Sequence, residues 1–434
     1  MKKISGPILL GLTIVLLLVG HVTNLYQIGV VSRLDAIIYD AKLRLTMPNT
    51  VDQRLVILDI DEKSLSEQGQ WPWGRDKMAL LMDKLFNHYR IRIVGFDVVF
   101  AEKDGSSGLA SLEQLATREL RDDAKFLSSL KDLRPQLDFD QRFAAAIKNR
   151  PVILGYYFSA DVGGRDAGAL PKPTFLAGTF DGRYTEIPNW ATYGANIAEL
   201  QSAAASAGHF NPMVDFDGLA RRVPMIVTYK GEYYDSLSLA MVRNLLGEHA
   251  LVPEFSSEKR DGTSQLEALN LKLAKGGTLS VPVDLNAASL VPFRGYERSF
   301  PYVSITDILN ERIPVESLAG KLAIVGTTAG GLKDLRATPV GTTYAGVEMH
   351  ANLVMGMLDG SIKYKPPYVL AVDLLILLLS GIAMTVLLPR LSPMRATYVG
   401  LFVLLLLFVA NVTFWYAANF VVPMAASLIV VVTI

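Results

Sequence analysis

Four apolar runs constrain this chain more than any other feature. Ile4 to Val22 are 19 residues without an acid, lysine or arginine, behind Lys2 and Lys3, and a hydrocarbon core takes about 20 residues to cross. A cleaved leader begins the same way. The run is long, however, and the following "GHVTNLYQ" offers no small-x-small cleavage site, so the reading is an uncleaved anchor. Nothing comparable occurs from Gly29 to Lys365. Then come Tyr368 to Leu388, Ala396 to Ala417, and a third run, Phe420 to Ile434, of 15 residues. That third run is short for a crossing helix and has no polar anchor after it, which predicts a span that continues into a cytoplasmic part.

Charge asymmetry orients these spans. Lys2 and Lys3 precede the first helix, and the loop "PRLSPMR" carries Arg390 and Arg395 with no acid, so both belong inside. Lys363 and Lys365 break this rule. The expected organisation is an anchor at 1–28, an outer domain at 29–365, and three transmembrane helices at 366–434, the last incomplete. Formal net charge is zero and no long basic run is present, which excludes a nucleic-acid surface. Absence of cysteine rules out a disulfide framework and a thiol nucleophile.

Within the outer region strands alternate with helices. "RLVILDID" reads as a strand; Met78, Leu81, Met82, Leu85, Phe86 and Tyr89 recur at helical spacing; "IRIVGFDVVF" reads as a second strand, completing a right-handed βαβ unit. A helix over 143–148 leads into "PVILGYYF". "HFNPMVDFDGLARRVPMIVTY" reads as a tight return around Asp215, Asp217 and Gly218, and a helix follows over 236–246. "KLAIVG" is a buried-type strand, and Val347, Ala351, Val354 and Leu358 mark the stripe of a last amphipathic helix. Residues 103–136 and 161–207 read as surface excursions. The expectation is an α/β domain with a largely parallel sheet.

Several residues stand where chemistry is possible. Asp59 and Asp61 share one face of the first strand near its carboxyl end, and Asp97 lies toward the end of the next, where open α/β sheets collect ligands. Three such acids offer oxygen ligands to a divalent metal, Mg²⁺ or Ca²⁺. The alternative is that Asp61, with Glu62, caps the following segment. Arg75 begins a helix, the unfavourable end for a cation, and is expected to pair with one of these acids. Trp71, Pro72 and Trp73 form an aromatic corner, either a plug or a ligand platform. "VGTTAGGLKD" (residues 325–334) is either an anion cradle or a plain turn. Glu348 and His350 add a polar pair near the end of the domain, and Asp373 lies within a predicted span. Catalytic patterns such as H-E-x-x-H and G-x-S-x-G are absent from the sequence.

The blocks "ILDIDEKSLSEQGQWPWGR", "GFDVVFAEKD", "GHFNPMVDFDGLARRVP", "FRGYERSFPYVSITDIL", "GKLAIVGTTAGGLKDLRATPV" and "GVEMHANLV" resemble, in order, the second class of CHASE domains, the cyclase and histidine-kinase associated sensing extracellular domains. The resemblance implies an α/β extracytoplasmic sensor with one N-terminal and three C-terminal transmembrane helices. It further implies a multi-pass protein of the bacterial inner membrane, with its large domain periplasmic or extracellular and both termini cytoplasmic. The output implied is a class III adenylate or guanylate cyclase, with a serine/threonine or histidine kinase as alternative, and no catalytic residue falls in this chain. A homodimer is implied, in contact with membrane lipid and an unidentified outer ligand or protein partner. Candidate ligand-binding residues are Asp59, Asp61, Trp71, Trp73, Arg75, Asp97, Glu348 and His350. No resident cofactor is expected apart from a possible divalent metal at Asp59, Asp61 and Asp97, which defines the rival reading, an outer-face metal-dependent enzyme.

Overall fold

Every residue of "LVILDI" is buried, and a strand buried on both faces needs a layer on each side. A computed structural model, describing residues 6–247, 250–260, 262–273, 276–331 and 334–434, supplies those layers. The main sheet has seven strands: β1 Leu55–Ile60, β2 Ile93–Phe96, β3 Val152–Ser159, β4 Thr192–Gly194, β5 Ser206–His209, β6 Tyr302–Ser304 and β7 Leu322–Thr327. Its order is β6-β1-β7-β2-β3, with β5 also on β3, and all these pairings are parallel. Only β4 is antiparallel, at the end of β3. The expected largely parallel sheet is therefore present.

Alternation divides the core in two. Leu55, Ile57, Ile93 and Ile324 face one cluster, whereas Val56, Leu58, Val94 and Val325 face the other. The main helices are α1 Gly6–Val22, α2 Gly29–Thr46, α3 Glu62–Gln68, α4 Arg75–Asp83, α5 Phe139–Ile147, α6 Leu237–Leu246, α7 Gly346–Asp359, α8 Val369–Leu387, α9 Pro393–Ala417 and α10 Ala425–Thr433. α4 and α5 pack together on the second cluster, α6 and α7 on the first. Close approach on the latter face rests on glycine: a Cβ at Gly95 would strike Met241 of α6, and one at Gly326 would strike Val347 of α7.

Three sequence expectations change. The stripe predicted for the last helix belongs to one buried all round, since Gly346 through Met357 are all buried; α7 is a central element, with Glu348, His350 and Asn352 inside. Residues 161–207 are not a surface excursion throughout, because Phe180, Ala195, Ile197 and Leu200 enter the core and β4 and β5 join the sheet. By contrast Leu109–Thr117 and Ala124–Leu137 contribute no buried residue, as an excursion should. An antiparallel sheet of Leu251–Arg260, Thr263–Lys272 and Thr278–Pro282 was not anticipated. A register shift near Glu254 and Phe255 breaks its period of two, so the pattern is hard to read.

Among the described residues, two helical segments are long and apolar enough to cross a membrane, Val369–Arg390 and Pro393–Ala417. The other two expected spans are shorter here: α1 has 17 described residues and α10 has nine. α1, α2, α8 and α10 share an apolar cluster that includes Val15, Leu18, Val31, Leu377 and Val430.

Candidate functional site

Parallel register aligns Asp59 with Gly326 and Val325 with Phe96, so Asp59 and Asp97 lie two strands apart, roughly 10 Å at the usual spacing. Each acid has a separate task. Asp59 is buried and accepts from the Thr328 backbone N–H (3.0 Å) and hydroxyl (2.6 Å). Burial pushes its carboxyl up to about 6; the Thr328 hydroxyl opposes the rise and Asp61 adds to it. Asp61 caps α3, accepting from the Ser64 N–H (2.7 Å) and from the Ser304 hydroxyl of β6 (2.7 Å). Asp97 is half-buried; desolvation raises its carboxyl well above the usual range, Asp334 adds to this, and Arg336 opposes it.

These acids do not converge as a metal site. Among the described residues no group of three or more His, Asp or Glu side chains is placed to hold an ion. The glycine-rich loop is likewise filled from within: its Thr328 N–H points at Asp59 and its Gly330 N–H at Glu62 (2.5 Å). The chain's own carboxylates occupy the positions an anion would take. Leu332 and Lys333 of this stretch lie outside the described residues.

The aromatic corner sits in the opposite core. Trp73 is buried, donates Nε1–H to the Gly69 carbonyl (2.7 Å) and meets Trp71 edge to face at 5.4 Å. Trp73 is thus a plug, while Trp71 stays partly open. Arg75 does not pair with Asp59, Asp61 or Asp97. Its guanidinium stacks over Phe100 (4.6 Å), approaches Asp140 (3.9 Å), and its backbone N–H is held by Asp104 (2.5 Å). The correction has a physical reason: Arg75 projects from the α4 layer into the Phe100 core, and the strand-end acids serve the other face or the α3 cap.

Glu348 is a clamp. Fully buried on α7, it accepts from the backbone N–H groups of Ser299 (2.6 Å) and Arg298 (3.1 Å) and from the Tyr302 hydroxyl (2.9 Å), fixing the loop that leads into β6. His350 is buried and held down to about 4 by desolvation. His209, not singled out from sequence, is buried and lies within electrostatic reach of His350; desolvation, with a smaller contribution from His350, takes it to about 3. Both imidazoles are neutral at pH 7.

A densely bonded polar site lies elsewhere, at the foot of the domain. Arg221, 4% exposed, donates to Asp40 of α2 through Nε and Nη2 (both 2.8 Å), to Asp217 (2.8 and 2.7 Å) and to Asp215 (3.0 Å). Arg222 joins Asp215 to Asp284. Farther along α2, Lys42 donates to Asn411 of α9 (2.7 Å) and lies 4.9 Å over the Trp415 ring, whose Nε1–H reaches Thr46 (3.0 Å). Burial pulls Lys42 down to about 8 against the attraction of Asp35. Asp35, nearer the start of α2, caps α10 by accepting the N–H groups of Met424 and Ala425 (both 2.9 Å). Lys363 donates to the Trp415 carbonyl (2.8 Å) and Asn419 (2.6 Å). A cavity of about 1230 Å³ opens between these elements and the strands Leu251–Arg260 and Thr263–Lys272.

Sequence reasoning passed over this junction. The two acids and two arginines of "DFDGLARR" were a signal, read only as turn residues, and Asp40 lies 181 positions from Arg221.

Neither a curated protein nor a solved structure matches this chain. A family model described as the CHASE2 domain matches residues 12–388, from within α1 to the end of α8. The matched stretch takes in the strand-end acids, the α7 clamp and the Asp40–Arg221 junction together, and the chain therefore belongs to the CHASE2 domain family of sensory domains in signalling receptors.

Proposed function

We propose that this chain is the extracytoplasmic sensor and transmembrane region of a bacterial receptor, which passes an external signal through its membrane helices to a cytoplasmic output. In this reading the N-terminal helix and the last apolar run are spans in addition to α8 and α9, both ends face the cytoplasm, and two copies pair. The output is a class III adenylate or guanylate cyclase, with a kinase as the other family option. The observation that carries the reading is α2. It is tied to the domain core through Asp40 and Arg221, to α9 through Lys42 and Asn411, and to α10 through Asp35. A shift of the domain that carries α2 with it is therefore passed to two helices. A ligand acts on such a device only by binding one arrangement better than the other.

The test uses the full chain in lipid nanodiscs, spin-labelled through Ser392→Cys in the α8–α9 loop, since the chain has no other cysteine. The reading expects an inter-copy distance distribution that changes when Asp40→Ala cuts the first tie. A monomer at every concentration, or a distribution indifferent to Asp40→Ala, refutes it.

A further inference from the structure

The cavity at the foot of the domain has two unlike walls. One is polar and acidic, formed by Glu186, Glu254, Glu267 and Asp284 of the outer domain. The other is built from helix ends and linkers, with Val22, Pro367, Leu370, Val422 and Ala426 as its apolar part. Asp373, on the second turn of α8, lines the cavity from this second wall. It is 5% exposed, and its Oδ1 has no hydrogen-bond partner in the structure. Leaving such a group buried without a partner is unfavourable unless something else meets it.

Among the described residues, none of the chain's own cations meets it. Arg221 and Arg222 are engaged by Asp40, Asp215, Asp217 and Asp284; Lys42 is held by Asn411, and Lys363 by Trp415 and Asn419. Lys365 lines the same space and acts on Asp373 from a distance, with no ion pair between them among the described residues. A metal ion fits poorly, because among the described residues no set of three ligating side chains is gathered. An ammonium group needs only one carboxylate and some polar neighbours. The apolar wall, made by helices that enter the membrane, suits a hydrocarbon body.

We propose that this cavity binds an amphiphilic organic cation, with its ammonium head against Asp373 and its apolar body between the ends of α1 and α8 and the linker to α10. The volume exceeds the usual few hundred to one thousand Å³ of drug-sized sites, which leaves room for a long chain. Such a ligand would touch α1, α8 and the α10 linker at once; α10 is tied to α2 through Asp35, and α1 and α8 share an apolar cluster with α2. This consequence rests on the receptor reading; the binding itself does not.

Calorimetry on the full chain in zwitterionic nanodiscs, with dodecylamine, dodecanol, dodecanoate and butylamine as probes, tests the site. Dodecylamine should bind saturably at one site per chain, and Asp373→Asn should weaken it about tenfold or more, as expected for a lost charge-assisted hydrogen bond. Dodecanol and dodecanoate should show no saturable binding, and butylamine should bind far more weakly. Leu370→Trp, which fills the apolar wall while keeping the carboxylate, should weaken dodecylamine and leave butylamine unchanged, so the test survives misfolding of the first variant. Equal affinity in wild type and a folded Asp373→Asn variant, or dodecanol binding as tightly as the amine, overturns the proposal. Amine binding that leaves the Ser392→Cys spin-label distances unmoved keeps the site and counts against the receptor reading alone.

Discussion

Cutting the bond between α2 and the domain should have a measurable and non-additive effect. Arg221 makes five hydrogen bonds to three carboxylates, two of them to Asp40, and both partners are buried. Asp40→Ala removes two charge-assisted bonds and leaves Arg221 held by Asp215 and Asp217, so a loss of about 3 kcal/mol is expected. Arg221→Met strands Asp40 and Asp217 while Arg222 still engages Asp215, and should cost about 3–5 kcal/mol. Each change removes the same pair, so the double variant should fall short of the sum by about 2–3 kcal/mol. Urea unfolding of the full chain in nanodiscs gives the four corners of the cycle. The surface pair Lys63–Asp307, with Lys63 about half exposed, is the control and should couple by less than about 1 kcal/mol. Additivity of Asp40→Ala and Arg221→Met within about 0.5 kcal/mol would mean that α2 is not fastened as described.

Other outcomes follow from the strand-end residues. The folded Asp59 carboxyl near 6 lies above its unfolded value near 4, so between those pH values the folded state holds the extra proton and stability falls as pH rises. Relative to wild type, Asp59→Asn should gain stability across pH 4 to 6, by up to about 3 kcal/mol, and then level off; a pH-independent difference refutes this. His209 and His350 act oppositely, their stabilisation being lost as pH falls from the ordinary imidazole range toward 4, and they cancel in the comparison. Glu348→Gln keeps an oxygen toward one of the N–H groups of Arg298 and Ser299 and turns an amide N–H₂ toward the other; it should cost about 1–3 kcal/mol, with faster hydrogen exchange at the amide that loses its acceptor, and unchanged exchange at both contradicts the clamp. Millimolar Mg²⁺ or Ca²⁺ should leave the melting curve of wild type and of Asp59→Ala superimposable on their metal-free curves. A metal-dependent rise lost in Asp59→Ala would restore the metal reading.

The frame of this fold was legible because its strands are local. "LVILDI" and "KLAIVG" announce buried parallel strands by their own composition, and Met78, Leu81 and Met82 announce the helix that covers them. The strand-end acids were placed correctly along the chain, yet their roles depend on partners far off in sequence, such as Thr328 for Asp59 and Ser304 for Asp61. Arg75 shows the limit well: its nearest acids in sequence are not its partners, because the side of the sheet to which α4 packs decides which carboxylates it meets. On the α2 side the Asp40–Arg221 tie leaves almost no local trace, since an acid on an amphipathic helix reads as a solvated face. Glycines at 95 and 326 signalled close helix approach only once α6 and α7 were in place.

A receptor of this kind needs its outer domain and its α8–α9 loop on opposite sides of the membrane. Single cysteines settle this directly, since Ser66 and Ser392 are both exposed and the chain has no cysteine of its own. With a membrane-impermeant maleimide on spheroplasts, Ser66→Cys should label at once and Ser392→Cys only after permeabilisation. Labelling of both positions before permeabilisation, or of neither, would contradict the placement on which the receptor reading stands.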